Sequence, residues 1–149
     1  MGGMSIGHEW QDMGHSLRQI STAPGGNVLA GVNERDEVFI NFRKKGKGWE
    51  KLDGALKHVS VGGQGKHIWG VNREGVVYYR AGPNSGWEQV DGSLKQVHVS
   101  SNGDFVIGVN NEDKIFYRKG REGPWNEMDG GLKYVSCNVE GSVVVGCNA

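Results

Sequence analysis

Little in this sequence points to a membrane, a cofactor or a cross-linked scaffold. Among 149 residues there are two cysteines, too few for the paired framework that staples small secreted domains. No apolar stretch approaches the roughly 18 residues that cross a bilayer as a helix, so membrane insertion is not expected. Met1–Glu9 lacks the basic start and apolar core of a signal peptide, and Ile6 stands where a myristoylation signal needs Ser or Thr. Net charge is missing as well, since 17 basic and 17 acidic residues cancel. A nucleic-acid partner, which needs clustered Lys and Arg, is therefore not expected. The dense basic run Arg43-Lys44-Lys45-Gly46-Lys47 falls between repeat elements and reads as a solvated loop. No segment carries the 3.6-residue apolar period of a helix. Catalytic signatures are also lacking. His8, His15, His58, His67 and His98 share no repeat position, no pair has His-x-x-x-His spacing, and no Gly-x-Ser-x-Gly occurs. No pair of carboxylates stands out as a glycosidase would require. Neither catalytic residues, nor a metal, nor a cofactor are expected, and the chain reads as a non-enzyme.

What the chain does have is glycine, 26 residues of it, recurring in register. Trp10, Trp49, Trp87 and Trp125 lie 39, 38 and 38 residues apart. Three of them are followed by Asp-Gly-x-Leu-Lys, at Asp53–Lys57, Asp91–Lys95 and Asp129–Lys133; the first copy degenerates to Gly14-His15-Ser16-Leu17-Arg18. Farther on comes Gly-Val-Asn or its variant: Gly31-Val32-Asn33, Gly70-Val71-Asn72, Gly108-Val109-Asn110 and Gly146-Cys147-Asn148. A fixed period of this length signals a repeat architecture.

Inside each copy the apolar residues alternate with period two, the strand signal. In the third copy Leu94, Val97 and Val99 belong to one strand, Phe105–Asn110 to a second, Lys114–Arg118 to a third, and Trp125 opens the last. A single small four-stranded sheet cannot bury its apolar faces, whereas stacking such sheets radially does. The expected fold is all-β: a β-propeller of about four antiparallel four-stranded blades, in one domain over residues 1–149. The repeats run approximately 10–48, 49–86, 87–124 and 125–149, with the last blade completed by residues 1–9. Closure within one chain and blades shared across a homodimer both stay open. The strand glycines Gly31, Gly70, Gly108 and Gly146 are expected to mark close approach of a neighbouring sheet, and Asp-Gly to mark a tight turn. Cys137 and Cys147 take small core positions on adjacent strands, where a cross-strand disulfide and two buried thiols are both open readings.

The pattern Trp-x-x-Φ-Asp-Gly-x-Leu-Lys-x-Val-x-Val, then Gly-Val-Asn-x-x-(Asp/Gly)-x-Φ-Φ-Tyr-Arg, with Φ apolar or aromatic, resembles the tectonin repeat over Glu9–Asn148. That resemblance implies a β-propeller lectin reading cell-surface or microbial glycans in self/non-self recognition, with relatives among fish-egg lectins and a horseshoe-crab lectin that binds lipopolysaccharide. It implies partners of N-acetylhexosamine, galactose or lipopolysaccharide type and a secreted setting, although a cytoplasmic one is compatible with the leaderless start. Relatives usually have six blades.

Sugar recognition needs aromatic faces for the C–H side of a ring and a few fixed polar groups for its hydroxyls. Several equivalent weak sites would then act together. The expected site is the groove between blades, built from Asn33, Asn72 and Asn110, from Arg80 and Arg118, and from Tyr78 or Phe116 as the apolar wall. Tyr78 shares a strand face with Arg80, and Phe116 with Arg118. The repeated Trp and Asp residues read as structural, Trp69 reads as core, and the basic positions Arg18, Lys57, Lys95 and Lys133 read as solvated edge charges. A protein-interaction scaffold is the alternative function, since a fold alone does not fix one.

Overall fold

A computed structural model of the chain describes residues 9–138 and 140–148. The period-two segments form antiparallel sheets in chain order. The first sheet comprises β1 (Gln19–Thr22), β2 (Val28–Val32), β3 (Glu37–Phe42) and β4 (Trp49–Ala55). The second comprises β5 (His58–Gly62), β6 (His67–Val71), β7 (Val76–Arg80) and β8 (Glu88–Ser93). The third comprises β9 (Gln96–Val99), β10 (Val106–Val109), β11 (Ile115–Arg118) and β12 (Asn126–Met128). β13 (Tyr134–Cys137) and β14 (Val144–Cys147) make a fourth sheet of two strands among the described residues. The fold is all-β and propeller-like: β1, β5, β9 and β13 are the innermost strands and together line an axial cavity of about 240 Å³. The expected closing segment, residues 1–8, lies outside the described residues. Trp10–Met13 adopts no strand, and Trp10 is fully exposed.

The blades bury their faces against one another in three cores. Val32, Val38 and Ile40 meet Val59, Val61 and Ile68 between the first two sheets. Trp69, Val71 and Val77 meet Val97, Val99 and Val106 between the second and third. Ile107, Val109 and Ile115 meet Val135 at the fourth. Trp69 is wholly buried, as a core filler should be. Near the axis, side chains fasten one blade to the next by acting as extra peptide groups. The Gln19 amide both donates to the Val59 carbonyl and accepts from its N–H, each at 2.8 Å. Gln96 does the same to Val135, at 2.8 and 3.0 Å.

The Trp-led strand is outermost and last in its sheet, so the sequence unit written from Trp to Trp straddles two blades. Each Asp-Gly-x-Leu-Lys run is consequently the crossing from one blade to the next, and this changes the reading of both glycines. A Cβ on Gly70 would lie 2.4 Å from Leu56 Cδ1, and one on Gly108 2.8 Å from Leu94 Cδ1. The strand glycine therefore makes room for the crossing leucine and for a carbonyl of the paired innermost strand, Gln96 at 2.5 Å from Gly108 and His58 at 3.0 Å from Gly70, rather than for a neighbouring sheet. Asp53-Gly54 and Asp91-Gly92 are not tight turns. They are β-bulges, where β4 and β8 slip register against Glu37/Val38 and Val76/Val77, and Gly54 and Gly92 hold φ of 92° and 104°, a region that favours glycine.

The cysteines are free. Cys137 pairs with Val144 and Tyr134 with Cys147, so the two thiols sit three residues out of register, about 10 Å apart along the strand. A disulfide needs roughly 4.4–6.8 Å between Cα atoms. Burial pushes the Cys137 thiol up to about 11, while Cys147 is exposed.

Candidate functional site

The hairpin after each Gly-Val-Asn sets the first wall of a groove. Asn72 Oδ1 accepts from the backbone N–H groups of Glu74 and Val76 at 3.1 and 2.9 Å. Asn33 does so for Arg35 and Glu37, and Asn110 for Glu112 and Lys114. The fourth residue of each turn is left-handed: Asp36 at 63°, Gly75 at 85°, Asp113 at 64°. This is the type I turn with a following αL residue that closes short hairpins. The three Asn carbonyls are thus committed to backbone. Asn72→Ala is expected to lower stability by about 1 kcal/mol, seen as a lower urea midpoint with unchanged slope.

Beside each Asn lies an aromatic from the next strand, and across it the Trp of the outermost strand. Asn72, Tyr78 and Trp87 face Gly54, Ala55 and Leu56 of the preceding blade around about 340 Å³. Asn110, Phe116 and Trp125 face Gly92, Ser93 and Leu94 around about 250 Å³. The structure therefore brings Asn72 together with Tyr78, and Asn110 together with Phe116, between blades as expected. Neither lining contains a carboxylate, histidine or cysteine. A third groove joins Asn33 and Phe39 to His15, Ser16, Glu34 and Arg35. There His15 replaces the bulge glycine, and its ring sits 4.2 Å from Phe39 and 5.8 Å from Trp49 between centroids. This groove, of about 400 Å³, is open as well, and it differs from the other two in carrying a histidine and two charged residues.

Arg80 and Arg118 are placed elsewhere. Both are 3% exposed and lie behind the Trp rings, each guanidinium 5.0 Å from the indole centroid of Trp87 or Trp125. Arg80 donates to Asp53 Oδ1 at 2.8 Å, to the carbonyls of Gly82 and Pro83 at 3.1 and 2.8 Å, and to that of Ser85. Arg118 repeats this with Asp91, Gly120 and Arg121. The indole N–H groups donate back across the junction, Trp87 to the Asp53 carbonyl and Trp125 to that of Asp91, both at 2.7 Å. Arginine, bulged aspartate and indole thus form one clamp that aims a half-buried Trp ring into the groove. The Arg80 hydrogen bond holds the Asp53 carboxyl below the usual carboxylate range.

Sequence reasoning missed Trp87, Trp125 and Phe39 as groove residues. The available signal was the bulge glycine: Gly54 and Gly92 each precede the facing Trp by 33 residues, and a Cβ there would meet the indole at 3.0 and 2.8 Å. The repeated basic position is also more than solvated charge. Asp113 accepts from Lys95 and Lys133, both at 2.5 Å, and Asp36 accepts from Arg18 at 3.2 Å. Lys133 first, then Lys95, holds the Asp113 carboxyl below its ordinary range.

Comparison with known proteins agrees with this architecture. The Tectonin domain model matches residues 16–149. Over 69 residues the chain is 34% identical to Tectonin-1 of Physarum polycephalum, a match spanning 46% of this chain and 30% of that protein. In fold it is similar to Kuenenia stuttgartiensis Hydrazine Synthase, with a TM-score of 0.64 at 14% identity, over 97% of this chain and 45% of that one. At that identity the likeness is one of fold alone. Both matches cover well under two thirds of the other protein's length.

Proposed function

We propose that this chain, which belongs to the tectonin domain family, is a non-enzymatic lectin whose grooves between blades each take one or two sugar rings. The observation that carries the reading is the repeated groove: a half-buried indole and a Tyr or Phe wall beside an Asn, with small residues opposite. Volumes of about 250 and 340 Å³ stand at the small end of ligand pockets, which run to roughly 1,000 Å³. An apolar ring face with few polar contacts gives weak binding per site, and repetition around the ring raises it through avidity on a glycan-covered surface. Cell-surface or microbial glycans of N-acetylhexosamine, galactose or lipopolysaccharide type are the candidates that the family brings, and an extracellular setting goes with them.

Tyr78→Ala and Phe116→Ala test the reading without touching the Trp clamps. Each is expected to weaken its own groove by about ten-fold, the worth of one aromatic contact. The double variant is expected to lose about a hundred-fold or more of multivalent avidity. Glycan-array binding and sugar-inhibited agglutination measure both. Unchanged binding in the double variant would move the site out of these grooves. A wild-type chain that binds no glycan would favour a protein-interaction scaffold instead.

A further inference from the structure

We propose that the axial cavity is a binding site for a small tetrahedral oxyanion, held by hydroxyl and imidazole donors that all four sheets contribute. The site lies on the axis, apart from the grooves between blades, and stands independently of what those grooves bind.

The donors are set by register. Ser21, Ser60, His98 and Ser136 occupy one matching position on the four innermost strands. All four line the cavity, together with His58 and Tyr134 from two residues earlier on their strands. Ser21 Oγ accepts from the Val61 N–H at 3.1 Å and Ser60 Oγ from the Val99 N–H at 3.0 Å. A hydroxyl that accepts from backbone keeps its own proton to donate, and neither serine gives it to another protein group among the described residues. Among those residues no carboxylate lines the cavity, so nothing there competes for the donors or repels negative charge. At about 240 Å³ the space equals about eight water volumes, enough for a tetrahedral oxyanion with part of its hydration.

The surrounding charge has the matching sign. Arg18, Lys57, Lys95 and Lys133 each stand just ahead of an innermost strand, so the repeat brings four basic residues to one mouth of the axis. Asp36 and Asp113 pair with three of them. Lys57 has no such partner among the described residues, since Gly75 holds the turn position that Asp36 and Asp113 take in the other blades. Burial first, then the charges of His98, Arg18 and Lys57, works against protonation of His58. An anion in the cavity supplies the opposite charge that this cluster lacks.

Sulfate stabilises folded proteins in general, so the test reads the site itself. Imidazole resonances of His58 and His98 are followed by NMR as sodium sulfate is added at fixed pH and ionic strength. His15 and His67, outside the cavity, serve as internal controls. Saturable shifts are expected at His58 and His98 and not at the controls, and inorganic phosphate should reproduce them. Ser136→Asp sets a carboxylate at a half-buried position of the wall and is expected to weaken sulfate by about ten-fold or more. Lys57→Glu, an exposed change at the mouth, should weaken it by about four-fold, because the charge acts from farther away. This second variant leaves the cavity wall intact and so decides the matter if the first fails to fold. Shifts that never saturate, or that are equal at all four histidines, would overturn the proposal. So would an affinity unchanged in either folded variant.

Discussion

Arg118→Ala is expected to lower stability by about 3 kcal/mol and to weaken binding in the groove formed by Asn110, Phe116 and Trp125. The guanidinium is buried, and it supplies donors to the Gly120 and Arg121 carbonyls. Carbonyls that lose a buried donor cost about 1–3 kcal/mol each. The ion pair with Asp91 adds little, because that carboxylate is 78% exposed and water replaces the arginine readily. A cavity opens beside Trp125 and Trp69, whose rings lie 5.0 and 5.8 Å from the guanidinium. For a chain of this size the loss corresponds to a fall in Tm of about 6–12 °C. Arg118→Lys keeps the charge but cannot fill the planar fork, so most of the loss should remain. Binding falls through the released indole, so Phe116→Ala, which leaves the clamp intact but removes a ring packed on the core, should weaken binding with a smaller fall in Tm than Arg118→Ala. If Arg118→Ala weakens binding with no change in Tm, the arginine touches ligand directly and the clamp is wrong.

That difference shows where sequence reasoning stopped. Period two gave Tyr78 and Arg80 one strand face, and the structure agrees. Yet a shared face does not say how far along the strand the blade boundary falls. Tyr78 looks into open space, while two residues on Arg80 lies under the Trp87 ring and the loop that follows. Spacing also could not separate a turn from a bulge at Asp53-Gly54, because both use Asp-Gly and both want positive φ. The distinction emerges only once β4 is laid beside β3. The crossing leucines were readable as core, whereas their seat on Gly70 and Gly108 was not, since contacts between a connection and a strand leave no period. The repeat alignment put both cysteines in the core, which holds in part for Cys137 and not for the exposed Cys147, and alignment gives no register. Cys137 and Cys147 therefore missed each other by three residues.

The position of His58 carries the second large effect. Register equates it with Gln19 and Gln96, which fasten their sheets to Val59 and Val135. The matching residue on the third sheet is Val97, opposite Gly108. A neutral imidazole has its donor and its acceptor on separate ring nitrogens, so it does not meet one residue's N–H and C=O together as the Gln amide does. Its Nε2 instead meets the Tyr134 hydroxyl at 3.1 Å, and its buried Nδ1 has no partner among the described residues. Burial first, then the charges of His98, Arg18 and Lys57, pulls its pKa from 6.5 to about 4. A folded pKa below the unfolded one means that the unfolded chain binds the proton more readily. The contribution to stability is complete above about pH 6.5 and is lost as pH falls through 4, on the order of 3 kcal/mol in full. His98, half-buried and lowered by that burial, adds a loss of the same sign. His58→Gln restores the amide fastener to Val97 with two hydrogen bonds of about 1 kcal/mol each. It should raise stability at pH 7 by about 2 kcal/mol, less what the Tyr134 contact supplied. It should also flatten the decline between pH 6.5 and 4, leaving the part that His98 contributes. Urea midpoints of both proteins across that range measure the two effects together. Equal slopes against pH would show that His58 takes up its proton as readily in the folded chain as in the unfolded one, and a lower midpoint at pH 7 would show that Val97 is out of reach of the amide.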